Sequence, residues 1–90
     1  MYMGINRDAL IKDLTQCVAE IRYINDQDTQ RATICTLMRT YVSDETKGRV
    51  VEEARSDPRP NVIRVWDVQW KAWRTIPLTR VVSCQVKEGY

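Results

Sequence analysis

Basic and aromatic side chains alternate through one stretch of this chain in a pattern suited to holding phosphates and stacking rings. Between Arg59 and Arg80 lie Arg59, Arg64, Lys71, Arg74 and Arg80 against the single acid Asp67, a local charge of +4, with Trp66, Trp70 and Trp73 among them. Guanidinium groups fork onto phosphate oxygens, and indole faces stack bases of any identity. The same two residue types dominate the energetic centres of protein–protein contacts. Arg64, Lys71, Arg74, Arg80, Trp70 and Trp73 are therefore the candidate binding residues, with a nucleic acid or nucleotide as one candidate ligand class and a protein surface as the other.

The same residues have plainer readings. A small core built without phenylalanine must draw volume from tryptophan, which points Trp73 or Trp66 inward, while Trp70, in a turn, is as much a candidate for exposure as for burial. Arg74 and Arg80 also suit surface ion pairs, which are common and weak.

Catalysis is harder to find. The chain has no histidine, which removes the commonest general base and transition-metal ligand, and with them Ser-His-Asp and Cys-His chemistry. Asp67, Glu52 and Glu53 could contact Mg²⁺, but their spacing gives no convergent site. Cys17, Cys35 and Cys84 are an odd number without CxxC spacing, each in an apolar run, and read as small buried hydrophobes. The expectation is a non-enzymatic protein without catalytic residues, metal or cofactor.

Ninety residues, 43% of them hydrophobic, with a net charge of +2, describe a single domain (1–90) around one modest core. A chain of this size hides roughly 60–65% of its unfolded surface. The net charge is too small to mark a nucleic-acid binder by itself, so the distribution of charge carries the signal. The opening Met1-Tyr2-Met3-Gly4 shows no basic stretch followed by an apolar run, and no segment reaches the roughly 18 apolar residues of a membrane span. No membrane partner is expected, and a reducing cytoplasm is the expected compartment.

The elements that must position these side chains can be read from periodicity. Apolar residues at helical spacing predict a short amphipathic helix over 6–16, with Asn6 as its N-cap. A strand follows from Cys17 to Ile24, with Cys17, Ala19, Ile21 and Tyr23 on one face. Asn25 to Asp28 form a turn, and Ala32 to Met38 a second strand. The segment 40–60 holds Gly48, Pro58 and Pro60, with five acids against three bases between Asp44 and Asp57. It is expected to be a long, exposed, mobile charged loop in which Val50 to Ala54 form at most one helical turn. Asn61 to Val68 and Ala72 to Ile76 make a second hairpin, ended by Pro77. The last strand, Val81 to Lys87, alternates Val82, Cys84 and Val86 inward with Ser83, Gln85 and Lys87 outward. Five short strands and one helix predict a mainly β fold: a small five-stranded SH3-like or Sm-like barrel with a short N-terminal α-helix. An incompletely covered third or last strand would let copies pair as a homo-oligomer.

The run Val65-Trp66-Asp67-Val68-Gln69-Trp70-Lys71-Ala72-Trp73-Arg74-Thr75-Ile76-Pro77-Leu78-Thr79-Arg80-Val81 resembles the closing strands of WYL-type domains. More closely, it resembles small WYL-like phage proteins with an Sm-like SH3 barrel fold, which end in a strand, a turn and Ala-Trp-Arg. The hairpin from Val18 to Leu37, ending Cys35-Thr36-Leu37, is similar to their first half. The Trp-Tyr-Leu tripeptide is absent, Arg74 and Arg80 match basic family positions, and Pro77 stands where the family is often basic. The resemblance implies a barrel, no enzymatic activity, a tailed-phage origin and action in the host cell cytoplasm. It implies a phage accessory protein acting on a host component by capturing nucleic acid or a small nucleotide. The alternative is a protein–protein interaction module that inhibits a host bacterial protein in host takeover or anti-defence.

Overall fold

The computed structural model describes residues 6–90; the opening Met1 to Gly4, read above for a leader, lies outside the described residues. Helix α1 (Arg7–Leu14) is followed by strands β1 (Val18–Ile24) and β2 (Gln30–Thr36), a 3-10 turn (Glu45–Arg49), helix α2 (Val50–Ala54), strands β3 (Val62–Asp67) and β4 (Ala72–Pro77), a 3-10 turn (Leu78–Arg80) and strand β5 (Val81–Val86). All five strands form one sheet in the order β4-β3-β2-β1-β5, and every neighbouring pair is antiparallel. The fold is mainly β, as the periodicity predicts.

The sheet is forced to curl. In a flat sheet the two edge strands would lie about 19 Å apart, four inter-strand spacings. Only the three residues Leu78–Arg80 join β4 to β5, and a 3-10 turn rises about 2 Å per residue. The bend falls between β2 and β3, whose register holds just Cys35 opposite Asp67 and Thr36 opposite Trp66. The result is an open barrel in which β4 and β5 are joined at one end by this turn and do not pair.

Helix α1 starts where Asn6 Oδ1 accepts from Ala9 N at 3.1 Å, the expected N-cap. Its Leu10, Ile11 and Leu14 are buried against Ala19, Ile21, Cys35 and Leu37 in one core that also holds Ile63, Val65, Trp66, Ile76, Leu78 and Val81. Thr36 ties helix to sheet: its hydroxyl donates to Cys17 O at 2.7 Å and accepts from Met38 N at 3.0 Å, while Leu37 N donates to Leu14 O.

The segment 40–60 departs from expectation. Its apolar residues are few but buried: Val42, Val50 and Ala54 belong to the core. Asp44 caps the 3-10 turn by accepting from Thr46 N at 2.8 Å, and Trp73 Nε1 donates to Thr46 Oγ1 at 2.9 Å. The far end is latched to α1, because Arg7 Nη1 donates to the carbonyls of Asp57, Arg59 and Val62. The segment is thus a folded cover, exposed along its charged side as expected but anchored from beneath by its few apolar residues. It lies against the β3 and β4 side chains that face away from Ile63 and Val65, and so buries β3 on both sides.

Two strand readings also shift. The β1–β2 turn is tighter than expected, because Asn25 Oδ1 accepts from Gln27 N and Thr29 N and Asp28 adopts a φ of 57°, so β2 begins at Gln30. In β5 the register against β1 slips between Arg22 and Tyr23. This bulge turns Val81 inward and Val82 outward, against the expected inward facing of Val82; Val86 keeps the expected face, opposite Ala19 and beside Cys84, but is exposed at the end of the edge strand. Of the cysteines, Cys35 is buried as expected, but Cys17 and Cys84 are only half-buried.

Candidate functional site

Asp67 builds the turn that carries Trp70, the most exposed aromatic among the described residues. Its Oδ1 accepts from Gln69 N and Trp70 N, both at 2.9 Å, and Lys71, with a φ of 55°, donates its N–H to Asp67 O at 2.8 Å. Residues with φ near +60° are those that reverse a chain over two or three positions. Val68 N donates to Ile34 O, which fastens the turn to β2. Asp67 is buried, and Arg74 Nε supplies its remaining oxygen at 3.3 Å, so the acid is satisfied as a buried carboxylate must be.

Trp70 projects from this turn and is 73% exposed. The Arg74 guanidinium carbon lies 5.8 Å from its ring centroid, within cation–π range. Strand alternation then brings in the other hairpin. Tyr23 pairs with Arg31 across β1 and β2, and both fall on the sheet face shared with Thr33, Cys35 and Asp67. Tyr23, Asn25, Arg31, Ala32, Thr33, Asp67, Trp70 and Arg74 line one cleft of about 240 Å³. A second cleft of about 360 Å³, reaching Arg59 and Thr75, shares Tyr23 and Asn25 with it.

The predicted site residues divide. Trp70 and Arg74 meet in the cleft, and Lys71 is exposed in the adjoining turn. Arg80 lies near the cleft but is committed: its Nε donates to Ile24 O at 2.9 Å, and its Nη2 donates to Asn25 O and to Asp28 Oδ1 at 2.8 Å. It staples the last turn to the β1–β2 turn. Arg64 lies on the covered face, its Nε 2.9 Å from Glu53 Oε2 but in a geometry that makes no hydrogen bond. Trp73 also faces the cover, edge-on to Trp66 at 5.6 Å and 78°. Arg59 chelates Asp57 through two side-chain bonds of 2.9 and 2.7 Å, and these bonds hold the Asp57 carboxyl well below the usual carboxylate range.

Sequence reasoning missed Arg31, Tyr23, Asn25 and Thr33. Their signal was the alternation of Arg31, Thr33 and Cys35 along β2. Arg31 makes no ion pair or side-chain hydrogen bond among the described residues, which distinguishes it from Arg64, Arg74 and Arg80.

The remaining reactive groups are muted. Burial pushes the Cys35 thiol far above its ordinary value and raises the thiols of Cys84 and Cys17 as well, which keeps all three protonated and weakly nucleophilic near neutrality. Among the described residues no three His, Cys, Asp or Glu side chains form a group able to hold a metal ion, and no helix is long and apolar enough to cross a membrane. Compared with known proteins, the chain matches no family model, no curated protein and no solved structure.

Proposed function

We propose that this chain is a non-enzymatic binding module that takes single-stranded nucleic acid on the Trp70–Arg74–Arg31 cleft. The observation that carries this reading is Trp70, a 73% exposed indole held on a hydrogen-bonded turn with Arg74 beside it and Arg31 across the cleft. One face of an exposed ring can stack a base while the two guanidinium groups meet the adjoining phosphates. A volume of about 240 Å³ falls below the roughly 300–1,000 Å³ of pockets that enclose a small ligand. A strand that lays one base on the exposed ring suits this shape better than an enclosed mononucleotide does. The second cleft sharing Tyr23 and Asn25 gives such a strand somewhere to continue.

The likeness to small WYL-like phage proteins supports a phage accessory protein acting on a host component in the host cytoplasm. A second reading, docking on a host bacterial protein to inhibit it, draws on the same exposed Trp70, since tryptophan beside arginine is a common protein-binding anchor.

Binding of short single-stranded oligonucleotides, measured by fluorescence anisotropy, separates the two. Wild type should bind, with affinity that falls as salt rises. Trp70→Ala and Arg31→Ala should each weaken binding about tenfold, or about 1.4 kcal/mol. Arg64→Ala, on the covered face, should leave affinity unchanged. Failure of every oligonucleotide and cyclic dinucleotide to bind at low salt rejects the nucleic-acid reading and leaves the host protein.

A further inference from the structure

Strand β5 closes one side of the sheet and leaves its own outer edge without a partner among the described residues. Lys87 N donates to Val18 O at 2.8 Å, and the register continues with Ala19 opposite Val86, Glu20 opposite Gln85, Ile21 opposite Cys84 and Arg22 opposite Ser83. Hydrogen-bonded and non-bonded positions alternate along an antiparallel ladder. Lys87, Gln85 and Ser83 therefore turn their N–H and C=O groups towards β1, and Cys84 and Val86 turn theirs outward.

Natural edge strands are protected by charge, proline or a bulge that twists them away. Between Val81 and Val86 there is no charged residue, glycine or proline. The one bulge sits at the start of the strand, between Arg22 and Tyr23 of the neighbour, and leaves the Cys84–Val86 end regular. Val86 is 65% exposed. The opposite edge differs, since β4 ends in Pro77 and carries Arg74, both of which discourage pairing.

We propose that β5 pairs antiparallel with β5 of a second copy of this chain about a two-fold axis through Gln85, extending the sheet across the pair. In that register Cys84 meets the partner's Val86, and Val86 meets the partner's Cys84. The outward groups of these residues form two hydrogen-bonded rungs. Gln85 lies beside the partner's Gln85 at a non-bonded position, and Lys87 lies opposite the partner's Ser83, so no like charges face each other. A two-fold axis through Cys84 would instead need Val82, which the bulge displaces.

The apolar side chains agree with this register. Cys84 and Val86 line a cleft of about 640 Å³ along α1 with Ala9, Leu10, Leu14 and Ala19, and the partner's Cys84 and Val86 continue that apolar wall. Nothing in this pairing involves the Trp70 cleft, so it stands or falls separately from the nucleic-acid reading.

Sedimentation velocity on the whole chain from about 1 μM to about 1 mM should show conversion from the 10.6 kDa chain to a species of twice that mass. Val86→Lys places a charge on an exposed site and should raise the concentration of half-dimerisation at least about tenfold. Gln85→Cys supplies an independent readout. Non-bonded antiparallel neighbours have Cα atoms about 4.5 Å apart, inside the disulfide range, so oxidised glutathione should link its chains in pairs while wild type stays unlinked. Wild type that remains a monomer throughout, Val86→Lys that associates as wild type does, or Gln85→Cys that links no more than wild type would each overturn the proposal.

Discussion

The two sides of this small barrel are built from opposite materials. Beneath α1 the contacts are made by Leu10, Ile11, Leu14, Ala19 and Leu37, all buried. Towards the other end of the same sheet face, where the β1–β2 hairpin faces the β3–β4 turn, the sheet presents Tyr23, Arg31, Thr33, Asp67, Trp70 and Arg74 around a cleft. The first side stabilises by removing apolar surface from water. The second holds its shape through hydrogen bonds to one buried carboxylate and keeps an indole and a guanidinium in solvent. Stability and binding therefore reside in separate residues, and substitutions should affect one without the other.

The largest separation is expected from Leu14, which is fully buried. Leu14→Ala should lower unfolding stability by about 2–5 kcal/mol, as large-to-small core changes do, while the folded fraction keeps its oligonucleotide affinity. Arg31→Ala, on an exposed site, should change stability by no more than about 0.5 kcal/mol. Denaturant unfolding beside anisotropy titrations checks both quantities on the same samples.

Asp67 is where the two sides meet, being buried yet part of the cleft. Asp67→Ala strands the amides of Gln69 and Trp70 and should cost about 1–3 kcal/mol. It should also weaken binding, because nothing then fixes Trp70. Asp67→Asn keeps an oxygen for those amides and should cost less in both measurements. Equal losses for the two variants would show that the charge towards Arg74, rather than the turn, is what matters.

The smallest effect concerns the cover over 40–60. The Thr46 hydroxyl, bonded to Asp44, holds that exposed carboxyl below its ordinary value. A carboxylate with a lowered folded-state pKa contributes its stability in full above about pH 4 and loses it as the pH falls further. Thr46 also accepts from Trp73, so Trp73 emission should report the change below about pH 4, and Asp44→Asn should flatten that response.

Much of the fold was legible because it depends on short-range pattern. Asn6 before Leu10, Ile11 and Leu14 marked the first helix, the alternation in β1 marked its faces, and the apolar run from Val62 to Val68 marked β3. Cys84 and Val86 were placed on the right face, but Val82 was misread because the start of β5 depends on a bulge in its pairing with β1, which its own alternation does not record. The packing of the 40–60 segment was missed because nine charges mask Val42, Val50 and Ala54, which join the core alongside Trp66. The site was legible in part. Trp70 and Arg74 are four residues apart on one hairpin, whereas Arg31 enters from the other hairpin, outside the local window that made the charge visible. Arg64 and Arg80 looked available only because their partners, Glu53, Asp28 and the carbonyls of Ile24 and Asn25, lie far away in sequence.

The central claim is that ligand meets Trp70 and leaves the other two tryptophans undisturbed. Three indole N–H resonances, from Trp66, Trp70 and Trp73, can be followed by NMR as a short single-stranded oligonucleotide is added. The account predicts a large, saturable shift of the Trp70 resonance, with those of Trp66 and Trp73 nearly still. A titration that moves Trp66 or Trp73 while Trp70 stays in place, or that moves none of the three at low salt, would contradict it.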